Sequence, residues 1–148
     1  MIPIEHFQKL RAMYLSAPIN QKLYPETEIE IGEGFAEISL PLNPDFHHAL
    51  HALHGSVYFK MLDDAAFFAV QSLVESHFIL TSSFQINILK PIRTGKIIAK
   101  GNVKFESKSL FFGESGLFDE SGREIAFGTG TFVKSEVILG EKIGYRME

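Results

Sequence analysis

At 148 residues the chain has the length of one domain, and a content of 45% hydrophobic and 22% charged residues is that of a folded globular protein. Its net charge of −4 argues against nucleic acid as a partner, because such domains are usually clearly basic. The absence of cysteine excludes disulfides, zinc–thiolate centres and a cysteine nucleophile, and it fits a reducing cytoplasm.

Residues 4–15 place Ile4, Phe7, Leu10, Met13 and Tyr14 at spacings of three and four, which predicts a short amphipathic helix. Charges run through this N-terminal stretch, so it does not read as a signal peptide. No window of 18 uninterrupted apolar residues occurs anywhere, so no membrane span is expected. The segment "APINQKLYP" is expected to break the first helix. Residues 27–40, "TEIEIGEGFAEISL", predict a β-hairpin turning at "GEG", with Ile29, Ile31, Phe35, Ile38 and Leu40 as its apolar pattern. A proline-rich stretch, "PLNPDFHHALHALHG", then begins as a loop.

Residues 56–75 are the strongest helix candidate. Ser56 is placed to cap it, and no proline or glycine falls between Val57 and Val74. The helix is apolar nearly all round, so it should be buried on most sides. From residue 78 onward four strands follow, in "FILTSSFQINILKPI", "KIIAKGNVKFESK", "SLFFGESGLFDESG" and "REIAFGTGTFVKSEVI". Gly113, Gly116, Gly128 and Gly130 suggest bulges or strong curvature in them. A single buried helix needs a sheet that wraps around it. The expected fold is therefore α+β: an antiparallel sheet curled about one long central helix, with a short N-terminal helix.

Chemistry-bearing residues cluster at "HHALHALHGSVYFKMLDDAAFFAV", residues 47–70. On a helix, Lys60, Asp64, Gln71 and Glu75 share one narrow polar stripe, and Lys60 and Asp64 are spaced to pair. Asp63 lies about 100° away, toward the apolar part of the helix. A carboxylate there is costly unless it is paired or hydrated, which makes it either a hydrogen-bonded structural group or a working one. The helix start offers N–H groups at Gly55, Ser56 and Val57 to a developing oxyanion. Asp63 is roughly 10 Å further along the axis, too far to meet its own helix cap.

Two competing chemistries are weaker. His47 and His51 are four apart and would need Asp45 or Asp63 as a third metal ligand, but no metal-binding signature is present and no metal is expected. Ser56 lacks the G-x-S-x-G elbow of a serine hydrolase.

The motif "HGSVYFKMLDDAAFFA" resembles that of hotdog-fold thioesterases of the phenylacetate-pathway type: His-Gly-Gly, six residues, then a helical Asp. "INILKPIRTGKIIAKGNV" resembles the family's N-x-x-x-P-x-x-x-G strand, and "FDESGREIAFGTGTF" its closing hairpin. The similarity covers roughly residues 27–134. It implies one hotdog domain over residues 1–148, with 1–25 as an N-terminal helical extension, 26–135 as the core and 136–148 as a C-terminal tail. It further implies an acyl-CoA thioesterase with no separate cofactor, acting as a homodimer or tetramer with the site at the dimer interface.

The resemblance assigns Asp63 as general base or nucleophile, Gly55 as donor to the thioester carbonyl, and His54 as the residue orienting the loop or carbonyl. Ser56 stands where the family has its second glycine. His48 stands where an Asn is common, and Asn43 lies further back. A hydroxyl after the helix often assists, so Thr81, Ser82 and Ser83 are candidates, with Ser83 favoured. Lys90, Arg93 and Lys108 are candidates for the CoA phosphates. Phe59, Phe67, Phe68 and residues 110–112 could contribute an apolar lining. A hotdog dehydratase and a non-catalytic acyl-CoA binder are the alternatives.

Overall fold

The computed structural model describes residues 1–148. Two helices lead, α1 (Ile4–Ser16) and α2 (Pro18–Leu23), followed by a hairpin of β1 (Glu28–Gly32) and β2 (Phe35–Pro41). A loop leads to the central helix α3 (Gly55–Gln71). Four long strands follow, β3 (His77–Ile88), β4 (Lys96–Glu106), β5 (Leu110–Phe118) and β6 (Glu124–Ile138), and then a short C-terminal segment, residues 139–148. All six strands form one antiparallel sheet in the order β1-β2-β4-β5-β6-β3. The sheet wraps α3, as the all-round apolar helix requires. Tyr58, Met61, Leu62, Ala65, Phe68 and Ala69 on α3 are all buried.

Helix and sheet approach backbone to backbone. A Cβ at Gly101 on β4 would collide with the Ala65 carbonyl and crowd the Ala66 nitrogen. Only glycine permits that approach. The buried Ser115 hydroxyl donates to the Leu62 carbonyl at 2.7 Å, adding a polar tie between β5 and α3.

Several local expectations change. "APINQKLYP" does not simply end α1. Pro18 opens a second helix, because its fixed φ and missing N–H suit a first helical position. Phe35 lies on the exposed face of β2, opposite to buried Ile38 and Leu40, because the odd spacing reverses its side. The cap of α3 is His54 rather than Ser56: His54 Nδ1 accepts from the Ser56 N–H at 3.0 Å. The helix also stops four residues early. Gln71, expected on a polar stripe, is fully buried. Its amide donates to the Val74 and His77 carbonyls and accepts from the Ile79 N–H, building the turn that ends α3. Sheet irregularities fall at His77/Ile79, Thr81/Ser83, Val103/Phe105 and Leu117/Phe118, not at Gly113, Gly116, Gly128 or Gly130. Gly128 and Gly130 instead leave room for the Phe84 ring.

The Gly101 contact generates a test. Gly101→Ala must push two rigid backbones apart, so it should cost roughly 3 kcal/mol, read as a lower midpoint in urea unfolding. An unchanged midpoint would mean that the helix and sheet are not packed this closely.

Candidate functional site

A groove of about 1160 Å³ runs along one side of α3. Asp63 and Thr81 lie on its wall together with Phe59, Phe67 and Phe68. Thr81 Oγ1 donates to Asp63 Oδ1 at 2.9 Å. Burial is the main force on this carboxyl group, because it disfavours the charged form. The Thr81 hydrogen bond pulls the other way, Asp64 adds to the rise and Lys60 opposes it. The result is a pKa pushed up to about 6.

The choice of Thr81 over Ser83 follows from a β-bulge. Thr81 pairs with Phe132 and Ser83 with Thr131, so one extra residue sits in β3 at this point. Ile79 and Thr81 face α3 before the bulge, and Phe84 packs inward after it, 5.6 Å from the Phe59 ring. Ser82 and Ser83 are both exposed, and Ser82 donates to the Thr131 carbonyl. The expectation that Ser83 meets the helix is corrected: simple alternation fails across a bulge.

Asp64 has a different environment. Its Oδ2 accepts from Lys60 Nζ at 2.7 Å and from the Tyr14 hydroxyl at 2.7 Å. The expected Lys60–Asp64 pair therefore forms, but half-buried under α1 and α2 rather than on a solvated stripe. Desolvation and the neighbouring Asp64 hold the Tyr14 hydroxyl far above its ordinary pKa.

The helix mouth is more selective than its sequence suggests. The Ser56 N–H is bound to His54 Nδ1, and the Val57 N–H donates to the His54 carbonyl at 3.0 Å. The Ser56 hydroxyl also contacts Nδ1 at 2.8 Å. Gly55 is left as the start of α3 whose N–H has no partner within the chain. With Nδ1 accepting, the neutral His54 ring carries its proton on Nε2. Gly55 and Asp63 are eight residues apart on one helix, about 12 Å along its axis, so one chain does not bring them together.

The other candidates separate into groups. His48 Nδ1 accepts from the Leu50 N–H, and Asn43 Oδ1 from the Asp45 N–H, so both shape the loop before α3. His47 Nε2 donates to the Arg93 carbonyl. The structure gathers no three His, Asp or Glu side chains into metal-binding geometry. Lys90 and Arg93 lie on the loop held beside the mouth of α3, where Tyr58 donates to the Lys90 carbonyl and the Leu53 N–H to that of Ile92. Lys108 is not on that rim. It sits in the β4–β5 turn, reached only after β4 has run the length of the sheet away from Lys96. Leu110 and Phe112 are exposed and Phe111 is in the core, so residues 110–112 do not line the groove.

Asn20 and Tyr24 escaped sequence reasoning. Asn20 is buried, and its Oδ1 accepts from Lys60 at 2.7 Å. A polar residue between two helix-breaking prolines reads as loop, and no local signal places it against α3.

A model of the "Thioesterase superfamily" matches residues 50–126, from the loop before α3 into β6. A Saccharolobus solfataricus protein named "Putative esterase" is 27% identical over 104 residues, covering 70% of this chain and 69% of that protein. The structure of the E. coli PaaI protein from the phenylacetic acid degradation operon superposes with a TM-score of 0.84 at 19% identity, covering 95% of this chain and 100% of that one. A thioesterase family protein from Silicibacter pomeroyi gives 0.78 at 24% identity, covering 89% and 98%. These likenesses establish the wrapped sheet and central helix as the hotdog fold. The family model spans more than half of the sequence, and the chain belongs to the thioesterase superfamily.

Proposed function

We propose that the protein hydrolyses the thioester of an acyl-CoA carrying a small aromatic or a short- to medium-chain acyl group. The observation that carries this reading is the Asp63 carboxyl group, held by Thr81 on the wall of the groove with its pKa pushed up to about 6. A carboxylate of that basicity accepts a proton near neutral pH better than an ordinary aspartate does.

Asp63 takes a proton from water as the water oxygen bonds to the thioester carbon. The carbon–sulfur bond breaks and the leaving thiolate takes up that proton. Alternatively Asp63 bonds to the carbon itself, and the thiolate leaves and takes up a proton from solvent. Water then hydrolyses the acyl-Asp63 anhydride to release the acid and restore the carboxylate. The carbonyl oxygen, as it gains charge, accepts from the Gly55 N–H at the positive end of α3. His54 holds that loop in place, and Ser56 narrows the approach where a glycine would leave it open. His48 and Asn43 shape the loop before α3, and Lys90 and Arg93 meet the phosphates of CoA, which enters as part of the substrate.

The 12 Å separation of Gly55 from Asp63 favours a site shared between two copies. Strand β3 supports the same reading. It is an edge strand of 12 residues, with Leu80, Ile88 and Leu89 exposed along or just beyond it. An open edge of that length is a ready surface for pairing. Two copies joined through β3 would bring the helix mouth of one toward Asp63 of the other, as a homodimer or as half of a tetramer.

Two measurements test the role of Asp63. Thiol release from acyl-CoA esters should lose kcat/KM as pH falls below about 6, by tenfold per unit, because the base is then protonated. Asp63→Asn should lower kcat by about a thousandfold, whereas Asp64→Asn should lower it by less than tenfold. The reverse order would reassign the catalyst, and binding of CoA esters without thiol release would make the protein a binding module. Stability gives an independent readout. A raised folded-state pKa means that ionised Asp63 opposes folding, and this cost appears as pH rises from the ordinary aspartate range through about 6. Asp63→Asn should therefore stabilise the fold at pH 7.5 by about 3 kcal/mol, a gain that disappears toward pH 4 in thermal melts.

A further inference from the structure

The groove is more than a setting for Asp63. Its floor carries Phe67, Phe68 and Phe78, and it is also lined by Met13 from α1, Val137 near the end of β6 and Ile143 from the C-terminal segment. Its volume lies slightly above the range of roughly 300–1,000 Å³ usual for small-molecule pockets, so it has room for much more than an acetyl group. The far side is anchored to the core by Leu10, Met13 and Tyr14 of α1, and a cluster of polar contacts beside them fixes its position against α3. Lys60 Nζ donates to Asp64 Oδ2 and Asn20 Oδ1, both at 2.7 Å, and to the Tyr14 hydroxyl at 3.2 Å. It also lies 5.1 Å from the Tyr14 ring centre and 4.8 Å from that of Tyr24. One ammonium group thus joins α3 to both α1 and α2.

Two features distinguish this cluster from an ordinary surface ion pair. The Lys60 and Asp64 side chains are only 14% and 20% exposed. In addition, all three Lys60 N–H groups have protein acceptors, so this cation is not available to a substrate phosphate. A half-buried ion pair is a poor source of net stability compared with apolar packing of the same volume. Its geometric effect is more specific, because it fixes where two helices stand relative to a third. The C-terminal segment is tied to the same wall: His6 Nδ1 bonds the Tyr145 hydroxyl at 2.7 Å, and Arg11 pairs with Glu148.

We propose that this groove receives the acyl part of the substrate, and that Lys60 and Asp64 are positioning residues that hold α1 and α2 as its far wall. The chain's own N-terminal helices then set which acyl groups are accepted, while Asp63 at the opening acts on the thioester. This assignment rests on the thioesterase reading and specifies the substrate for it: aromatic or medium-chain acyl groups over acetyl.

The experiment is a kinetic panel of acetyl-CoA, phenylacetyl-CoA and octanoyl-CoA with the full chain. If none releases thiol, the thioesterase reading fails and the positioning role falls with it. If hydrolysis occurs, wild type should favour the two larger esters. Lys60→Met should then lower the ratio of octanoyl-CoA to acetyl-CoA kcat/KM about tenfold, mainly by raising KM for the larger ester. An equal loss of kcat on every ester, or an unchanged ratio, overturns the positioning role. Ile143→Trp provides a second measurement at the far end of the groove that leaves the Lys60–Asp64 pair intact. It should depress octanoyl-CoA hydrolysis at least tenfold relative to acetyl-CoA. An unchanged ratio in that variant places the acyl group elsewhere.

Discussion

The rest of the structure depends on the burial of α3. The sheet wraps it so closely that the Gly101 backbone of β4 rests against the Ala65 carbonyl, leaving no room for a methyl group. A helix held in this way cannot leave its polar groups to solvent. Each must find a partner or bear a desolvation cost. Ser115 answers the Leu62 carbonyl, Gln71 closes the turn that follows, and Lys60 pairs with Asp64.

Asp63 stands apart from these pairings. It is next to Asp64 in sequence, yet a rotation of about 100° gives it a different wall of the same helix. Asp64 receives an ammonium group and a tyrosine hydroxyl, while Asp63 receives one threonine hydroxyl and the groove. Both carboxylates are largely removed from water, but only Asp64 has a cation in direct contact. Burial, with no cation in direct contact to offset it, pushes the pKa of the Asp63 carboxyl group up. Two adjacent acids on one helix line the same groove with different partners: Asp63 is held by Thr81, and Asp64 by Lys60 and Tyr14, which tie the helices together.

The same geometry explains why the proposed chemistry calls for a second copy. The one helix-mouth N–H without an internal partner belongs to Gly55, and eight residues of helix keep it about 12 Å from Asp63 along the axis. The long outer strand β3 carries both Thr81 and an unpaired edge. The strand that orients Asp63 is thus also the one best placed to meet another chain.

How much of this was legible in the sequence depends on the range of the interaction concerned. The buried helix, the hairpin before it and the four strands after it follow from local periodicity and turn residues, because apolar spacing reports burial directly. The same periodicity set Asp63 on the apolar side of that helix, whereas the cap at its mouth, expected at Ser56, is His54. Tertiary structure decided the rest. A bulge in β3 chose Thr81 over Ser83, since strand alternation cannot reveal where an extra residue is inserted. The ends of β4 separated Lys108 from Lys90 and Arg93. Asn20 and Tyr24 became partners of Lys60 across 40 and 36 residues of chain, contacts that no local pattern encodes. The sequence by itself determined which helix is buried and which acid lies on its apolar side. Only the folded chain decided which groups surround that acid, because those groups come from distant segments that packing alone brings together.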